Sequence, residues 1–408
     1  MAITDKEQGV WSNSNQVYNK IMEGDIWSYT GADAYFIWGV GSKGRLGQND
    51  TDSRSSPTQI PGSTWSALPH SNLGIGYMGG IKSDGTLWTW GGNDYGVLGQ
   101  GDQTQYSSPT QVGTDTTWSN LSMGGDNAKS CIAVKTDGTL WTWGGNDRGN
   151  LGFNQASTPS SRSSPKQVGE DTDWHHGSAG ADFMFAVKTN GTLWSWGYGK
   201  WYGQLAQGSQ SSFSSPRQVG TDTTWSYVQA GRPGSGIATK TDGTLWAWGY
   251  NANGELGQNG PTGPGYSGRY SSPRQVGTGT DWAYDSFQKI AMGSQKAGAI
   301  KQDGTLWMMG YNSNGQLGLN DQARRSSPTQ IPGTWEYVST ANMETLAKKS
   351  DGTLWSWGYG GQGGLGNNTS SGNASRSSPI QVGGDMIIRD GERQMIAAYS
   401  VNAAMGKM

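Results

Sequence analysis

Three histidines, His70, His175 and His176, and one cysteine, Cys131, are the residues with which this chain could bind a transition metal or activate a nucleophile. None of the histidines stands with Cys or carboxylates at metal-ligand spacing. His175-His176 follows Trp174, and the pair reads as part of a surface loop. A lone cysteine excludes an internal disulfide framework, and Cys131 sits where neighbouring repeats carry small or apolar residues. The turn Gly47-Gln48-Asn49-Asp50-Thr51-Asp52 places oxygen ligands at alternating positions, but the distal bidentate Glu of a calcium loop is missing. There is no G-x-S-x-G elbow and no Lys-Ser/Thr after a glycine-rich loop, so the expectation is a protein with no catalytic, metal or cofactor-binding residues.

Binding chemistry is a better fit to the remaining residues. Lys200, Trp201 and Tyr202 stand where other repeats carry Asn and small residues. Tyr266, Arg269 and Tyr270 lie in the longest loop, QNGPTGPGYSGRY from Gln258. Aromatic and arginine side chains on loops are the types that interfaces favour, and insertions at loop tips cost a fold little. These six residues are the candidate docking or glycan-contacting surface.

The elements that position them repeat. DGTLW begins at Asp84, Asp137, Asp242, Asp303 and Asp351, with NGTLW at Asn190 and a worn copy, AYFIWGVG, at Ala34. Each unit continues with Gly-x-Leu-Gly or a close variant, a loop of variable length, and Ser-Ser-Pro-x-Gln. Its prolines are Pro57, Pro109, Pro165, Pro216, Pro273, Pro328 and Pro379. A period of about 50 residues denotes an array of one supersecondary unit.

The unit from Trp118 to Val168 reads as four strands: Trp118–Met123, Ser130–Lys135, Thr139–Trp143 and Pro165–Val168. Asp137-Gly138 supplies a tight turn with positive φ. Trp141 and Trp143 share one strand face and Leu140 takes the other, so both faces need cover. Proline cannot donate to a ladder, which puts the fourth strand at an edge. The predicted fold is all-β: a seven-bladed β-propeller of four-stranded antiparallel blades. Hydrophobic content of only 33%, with 67 Gly and 21 Trp, suits tight turns around a core of large aromatics.

The net charge of −2 and the lack of a basic stripe weigh against nucleic acid. No apolar run approaches a membrane span, and the start MAITDKEQGVW lacks a signal-peptide core. Residues 1–24 read as an attachment segment or arm, and residues 25–408 as the propeller. Two segments compete to complete the closing blade. Residues Trp11–Tyr29 align loosely with the first two strands of a unit, and so does MIAAYSVNAA from Met395. The favoured reading has C-terminal strands within 385–400 pairing with the first unit, because joining the two ends of the chain locks the ring.

These repeats resemble the family named after the eukaryotic regulator of chromosome condensation, over roughly residues 34–400. The resemblance implies a seven-bladed propeller. The founding member is a nucleotide-exchange factor for a small GTPase that docks on chromatin through a basic tail. Here the N-terminal segment carries Asp5, Lys6, Glu7, Lys20, Glu23 and Asp25, so exchange activity does not carry over. The near-identical, Trp- and Ser-rich repeats also resemble bacterial and bacteriophage versions. That likeness leads to the expectation of a non-enzymatic bacteriophage virion component, such as a tail, fibre or capsid-surface protein. Residues 1–25 would bind other virion subunits, and the oligomeric assembly would meet a host receptor or glycan. The alternatives are an intracellular regulatory propeller that binds a protein such as a small GTPase, and a carbohydrate-binding module.

Overall fold

The computed structural model describes residues 34–62, 64–69, 76–124, 129–155, 159–260, 268–369, 375–382, 395–398 and 401–406. The expected attachment segment, residues 1–24, lies outside them. So do Trp11–Tyr29, Tyr266, His70 and most of 385–400.

The described residues form seven four-stranded antiparallel sheets. In one of them Trp174–Ala179, Phe183–Lys188, Leu193–Gly197 and Phe213–Gln218 follow one another in space as in sequence. The first strands of successive blades touch one another, so they line the axis, and the proline-bearing fourth strands form the outer edge. The outer strands begin before the proline: Pro165 lies inside Ser161–Gln167, where the register with Leu140–Gly145 shifts between Arg162 and Lys166. The ladder loses its regular pairing at the residue that cannot donate to it.

The seventh sheet joins the ends of the described chain. Its order runs Arg54–Gln59, Ala34–Gly39, Val401–Gly406, Met395–Ala398. The strand beside Ala34–Gly39 is thus 401–406, with Phe36 opposite Ala404.

The recurrent motif makes the contacts between blades. In DGTLWTWG from Asp137, Gly138 has φ +78°, and a Cβ there would come within 2.0 Å of the Thr172 carbonyl of the next linker. The Gly138 carbonyl accepts the backbone N–H of Trp174, which opens the next blade, at 3.1 Å. The Asp137 carboxylate accepts from the Thr139 N–H and hydroxyl at 3.0 and 2.7 Å. These bonds, the hydroxyl bond foremost, hold its pKa below the ordinary carboxylate value. The Thr139 hydroxyl in turn accepts the Trp141 indole N–H at 2.8 Å.

The two tryptophans of the motif have different tasks. Trp143 is fully buried, and its Nε1 donates to the Val97 carbonyl of the preceding blade at 2.8 Å. The same bond runs from Trp90 to Arg45, Trp196 to Asn150, Trp248 to Gln204, Trp357 to Gln316 and Trp38 to Gly364. Each acceptor is the second residue of the Gly-x-Leu-Gly element. Met309 fills this place in the sixth unit and can only pack. Trp141 instead meets Trp118 edge to face at 5.9 Å, and Lys135 lies 3.9 Å above its ring. Asp115 closes that cage through a 2.8 Å ion pair to Lys135. Cys131 is buried among these residues as a small apolar group, and burial pushes its thiol pKa well up.

Candidate functional site

Because the strands alternate in direction, each blade has two unlike ends. The DGT turns and the opening Trp lie at one end. The Trp-Gly termini and Gly-x-Leu-Gly loops lie at the other. Both ends carry a cluster of side chains outside the repeated framework.

At the Trp-Gly end, aromatic rings connect two adjacent blades. Tyr198 meets Trp201 at 4.7 Å, Trp201 meets Tyr202 at 6.3 Å, and Tyr202 meets Tyr250 at 4.7 Å. Arg148, from the preceding blade, stacks 4.5 Å over Tyr198 and 5.7 Å from Trp201. Arg269 donates through its guanidinium to the Trp201 carbonyl at 2.8 Å. Trp201 is 36% exposed; among the described residues only Tyr95, at 38%, is another large exposed apolar side chain. Lys200 is also exposed.

Of the six residues expected to bind, the structure brings Lys200, Trp201, Tyr202 and Arg269 together. Tyr270 lies apart: it is half-buried under Arg274, 4.1 Å from its ring, and packs against the core beside Trp282. Arg148, Tyr198 and Tyr250 escaped the sequence reading. The signal for the tyrosines was present as Tyr after Trp-Gly, where Gly92 and Gly145 stand in two other units. Arg148 joins only because neighbouring blades bring the loops together. Beneath the cluster, burial pushes the Glu255 carboxyl up to about 7.

At the DGT end, His175 and His176 are not in a loop. Both belong to the axial strand Trp174–Ala179, and His176 is fully buried. The register with Phe183–Lys188 shifts between Trp174 and His176, which leaves His175 exposed and His176 buried and which the local sequence could not reveal. The His176 Nε2–H donates to the Val228 carbonyl at 2.9 Å, and its ring stacks on Phe287 at 6.0 Å. Burial drives its pKa from 6.5 to about 3. An unfolded chain therefore takes up a proton near pH 6.5 that the folded chain refuses, so this contribution to stability is complete above 6.5 and declines as the pH falls. Glu255, with its raised pKa, acts in the opposite direction between its unfolded value and about 7. The measurable quantity is thus the stability difference between wild type and His176→Asn. Over about pH 7.5 to 5 it is expected to shift against the wild type by about 2 kcal/mol, at ~1.36 kcal/mol per unit. Chemical denaturation at several pH values measures it, and a constant difference would refute the buried neutral imidazole.

The acidic turn has an internal partner for its carboxylate. Asp50 receives the Arg54 guanidinium at 2.6 Å and the Asp52 N–H at 3.0 Å. Among the described residues there is no group of three or more His, Cys, Asp or Glu arranged to hold a metal.

A family model described as the RCC1-like domain matches residues 29–405. Among curated proteins, the chain is 28% identical to the ultraviolet-B receptor UVR8 of Arabidopsis thaliana, over 73% of this chain and 66% of that protein. It is 27% identical to the mitochondrial RCC1 domain-containing protein RUG3 of the same plant, over 73% and 64%. Against the human E3 ubiquitin-protein ligase HERC2 it is 27% identical over 56% of this chain but 5% of that one. The match therefore spans less than two thirds of each of these relatives. Among solved structures, Prp20p from Saccharomyces cerevisiae superposes with a TM-score of 0.76 at 19% identity, covering 97% of this chain and 94% of that one. Human WBSCR16 superposes with a TM-score of 0.76 at 18% identity, covering 92% and 99%.

These findings overturn the expected virion location. The relatives are a plant photoreceptor, a mitochondrial protein and a yeast protein. The blade-to-blade bonds account for the recurrence of the DGTLW motif, and that recurrence carries no information about source. With seven blades built on the motif that the family model spans, the chain belongs to the RCC1-like domain family.

Proposed function

We propose that this chain is a non-enzymatic interaction propeller that docks the acidic surface of a protein partner on its Trp-Gly end. The observation that carries this reading is the ladder Tyr198–Trp201–Tyr202–Tyr250, with Arg148 stacked on it and Arg269 bracing Trp201. Interfaces draw most of their affinity from such aromatic and arginine anchors. Arg148, Lys200 and Arg269 make the rim cationic, which selects for a partner of opposite charge. A regulatory role with a small GTPase is the second reading. It is favoured by the family resemblance and by the yeast structure of Prp20p, described with its binding to Gsp1p and histones.

The test is a quantitative pull-down from the source organism, followed by titration of the captured protein. Trp201→Ala with Tyr202→Ala is expected to cost about 2 kcal/mol or more, roughly 30-fold in affinity, and binding should weaken with salt. Tyr337→Ala, at the other end, should leave binding unchanged. A partner indifferent to the first variant and lost with the second would refute this docking face.

A further inference from the structure

Within the repeat, variation is concentrated at one place on the DGT end. The opening Trp of each unit is constant, yet the two residues after it are Ser-Asn at 119–120, His-His at 175–176, Ser-Tyr at 226–227 and Glu-Tyr at 336–337. In the sixth unit the stretch Asp285–Lys289 intervenes, and it contains the short helix Phe287–Lys289. All these positions lie on or beside the axial strands, so five successive blades present their least repeated residues at one mouth. The cavity they line holds about 550 Å³, inside the ~300–1,000 Å³ range of small-ligand pockets.

The side chains there combine apolar ring surface with hydrogen-bonding groups of both kinds. Tyr227 stands 5.3 Å from the His175 ring and 6.4 Å from Phe287. Lys289 lies 5.3 Å over Tyr337. Asn120 is 5% exposed and donates to the His175 carbonyl at 3.2 Å, while its Oδ1 is buried with no hydrogen-bond partner among the described residues. A buried amide oxygen without a partner costs stability unless a ligand or water bonds to it.

The charges at the mouth balance. Asp285 and Glu336 are offset by Lys289 and by Lys348, whose ammonium reaches Glu336 at 2.7 Å. Burial lowers the pKa of both histidines, so neither brings a charge at neutral pH. A site with no net charge, ring faces on its walls and both donors and acceptors suits a ligand of the same character. It should have an apolar C–H face and hydroxyls at its edge. We infer that the channel mouth lined by Asn120, His175, Tyr227, Asp285, Lys289 and Tyr337 is a binding site for a neutral saccharide, of one or two sugar units. This site is separate from the protein-docking face at the opposite end, so failure of either reading leaves the other standing.

The test is saturation-transfer NMR and calorimetry on the full chain. The probes are glucose, galactose, N-acetylglucosamine, maltose, cellobiose and lactose, with the zwitterionic dipeptide alanyl-alanine as the charged competitor. The expected result is saturable binding of at least one sugar. Asn120→Ala and Tyr337→Ala should each weaken it about tenfold or more, and Trp201→Ala should have no effect. Asn120 is a strand residue and its variant could fold poorly, whereas Tyr337 is half-buried at the rim and keeps the test decisive. The inference is overturned if no sugar binds, if only the dipeptide binds, or if sugar binding survives both substitutions.

Discussion

Trp196→Ala is expected to destabilise the propeller by about 3–5 kcal/mol, the range for truncating a fully buried large aromatic. Trp196 is completely buried against Leu151 and Val168 of the preceding blade, with Ile132, Leu140 and Trp174 in the same cluster. Its indole also donates to the Asn150 carbonyl at 2.9 Å. The two contributions separate in a second variant. Trp196→Phe keeps a six-membered ring in the core but removes the donor together with the pyrrole part of the indole, and is expected to cost about 1–3 kcal/mol, because a buried carbonyl loses its partner and a small void opens. Urea unfolding of the three proteins gives both numbers. If Trp196→Phe matched the wild type, the bond between blades would contribute nothing and the motif would be conserved within the chain for packing alone.

Removal of residues 395–408 is expected to abolish the single cooperative unfolding transition. Val401–Gly406 is paired along the whole length of Ala34–Gly39. Its Ala404 packs in the cluster of Phe36 and Trp38, and its Ala403 and Met405 in that of Tyr35 and Ile37. The Asn402 side chain also donates to the Gly364 carbonyl, which accepts the Trp38 indole as well. Without this strand, Tyr35, Phe36, Ile37 and Trp38 lose part of their cover. Exposing a large apolar side chain costs about 1.5–3 kcal/mol when complete. Partial loss at four such residues approaches the ~5–15 kcal/mol that holds a typical domain together. Calorimetry should show a broad or absent transition, together with rapid proteolysis. A truncated chain that melts as sharply and as high as the full one would mean that the seam contributes little.

Much of the fold was legible because the interactions that form a blade are local in sequence. Asp137, Gly138, Thr139 and Trp141 bond to one another or to the adjoining turn within a few residues. The blade count followed from the recurrence of that motif. The strand Ser161–Gln167 was read too short, because its pairing resumes on both sides of Pro165. At the candidate site, Trp201 and Tyr202 stood out by type against the other repeats, and Arg269 by its loop. Tyr198 and Tyr250 differed from Gly92 and Gly145 at the same repeat position, but Tyr311 and Tyr359 share that difference, and nothing in sequence marks the approach of Arg148 to Trp201. His175 and His176 were misread because a strand that begins at a known Trp looks the same whether its next residue faces solvent or the axis.

The sequence by itself determined the family, the all-β class, the seven blades and the packing role of the tryptophans. Each of these follows from a short motif repeated at a fixed period, and the motif's turn, hydroxyl and ring contacts are made within the unit or with the next one. Only the tertiary structure decided which Trp of each pair bonds to the preceding blade, that 401–406 lies beside 34–39, and which unrepeated residues meet at each end of the ring. Those relations join residues about 50 to 370 positions apart. They are set by ring closure, which brings equivalent positions of successive blades around one axis and leaves no trace in the local pattern of any single unit.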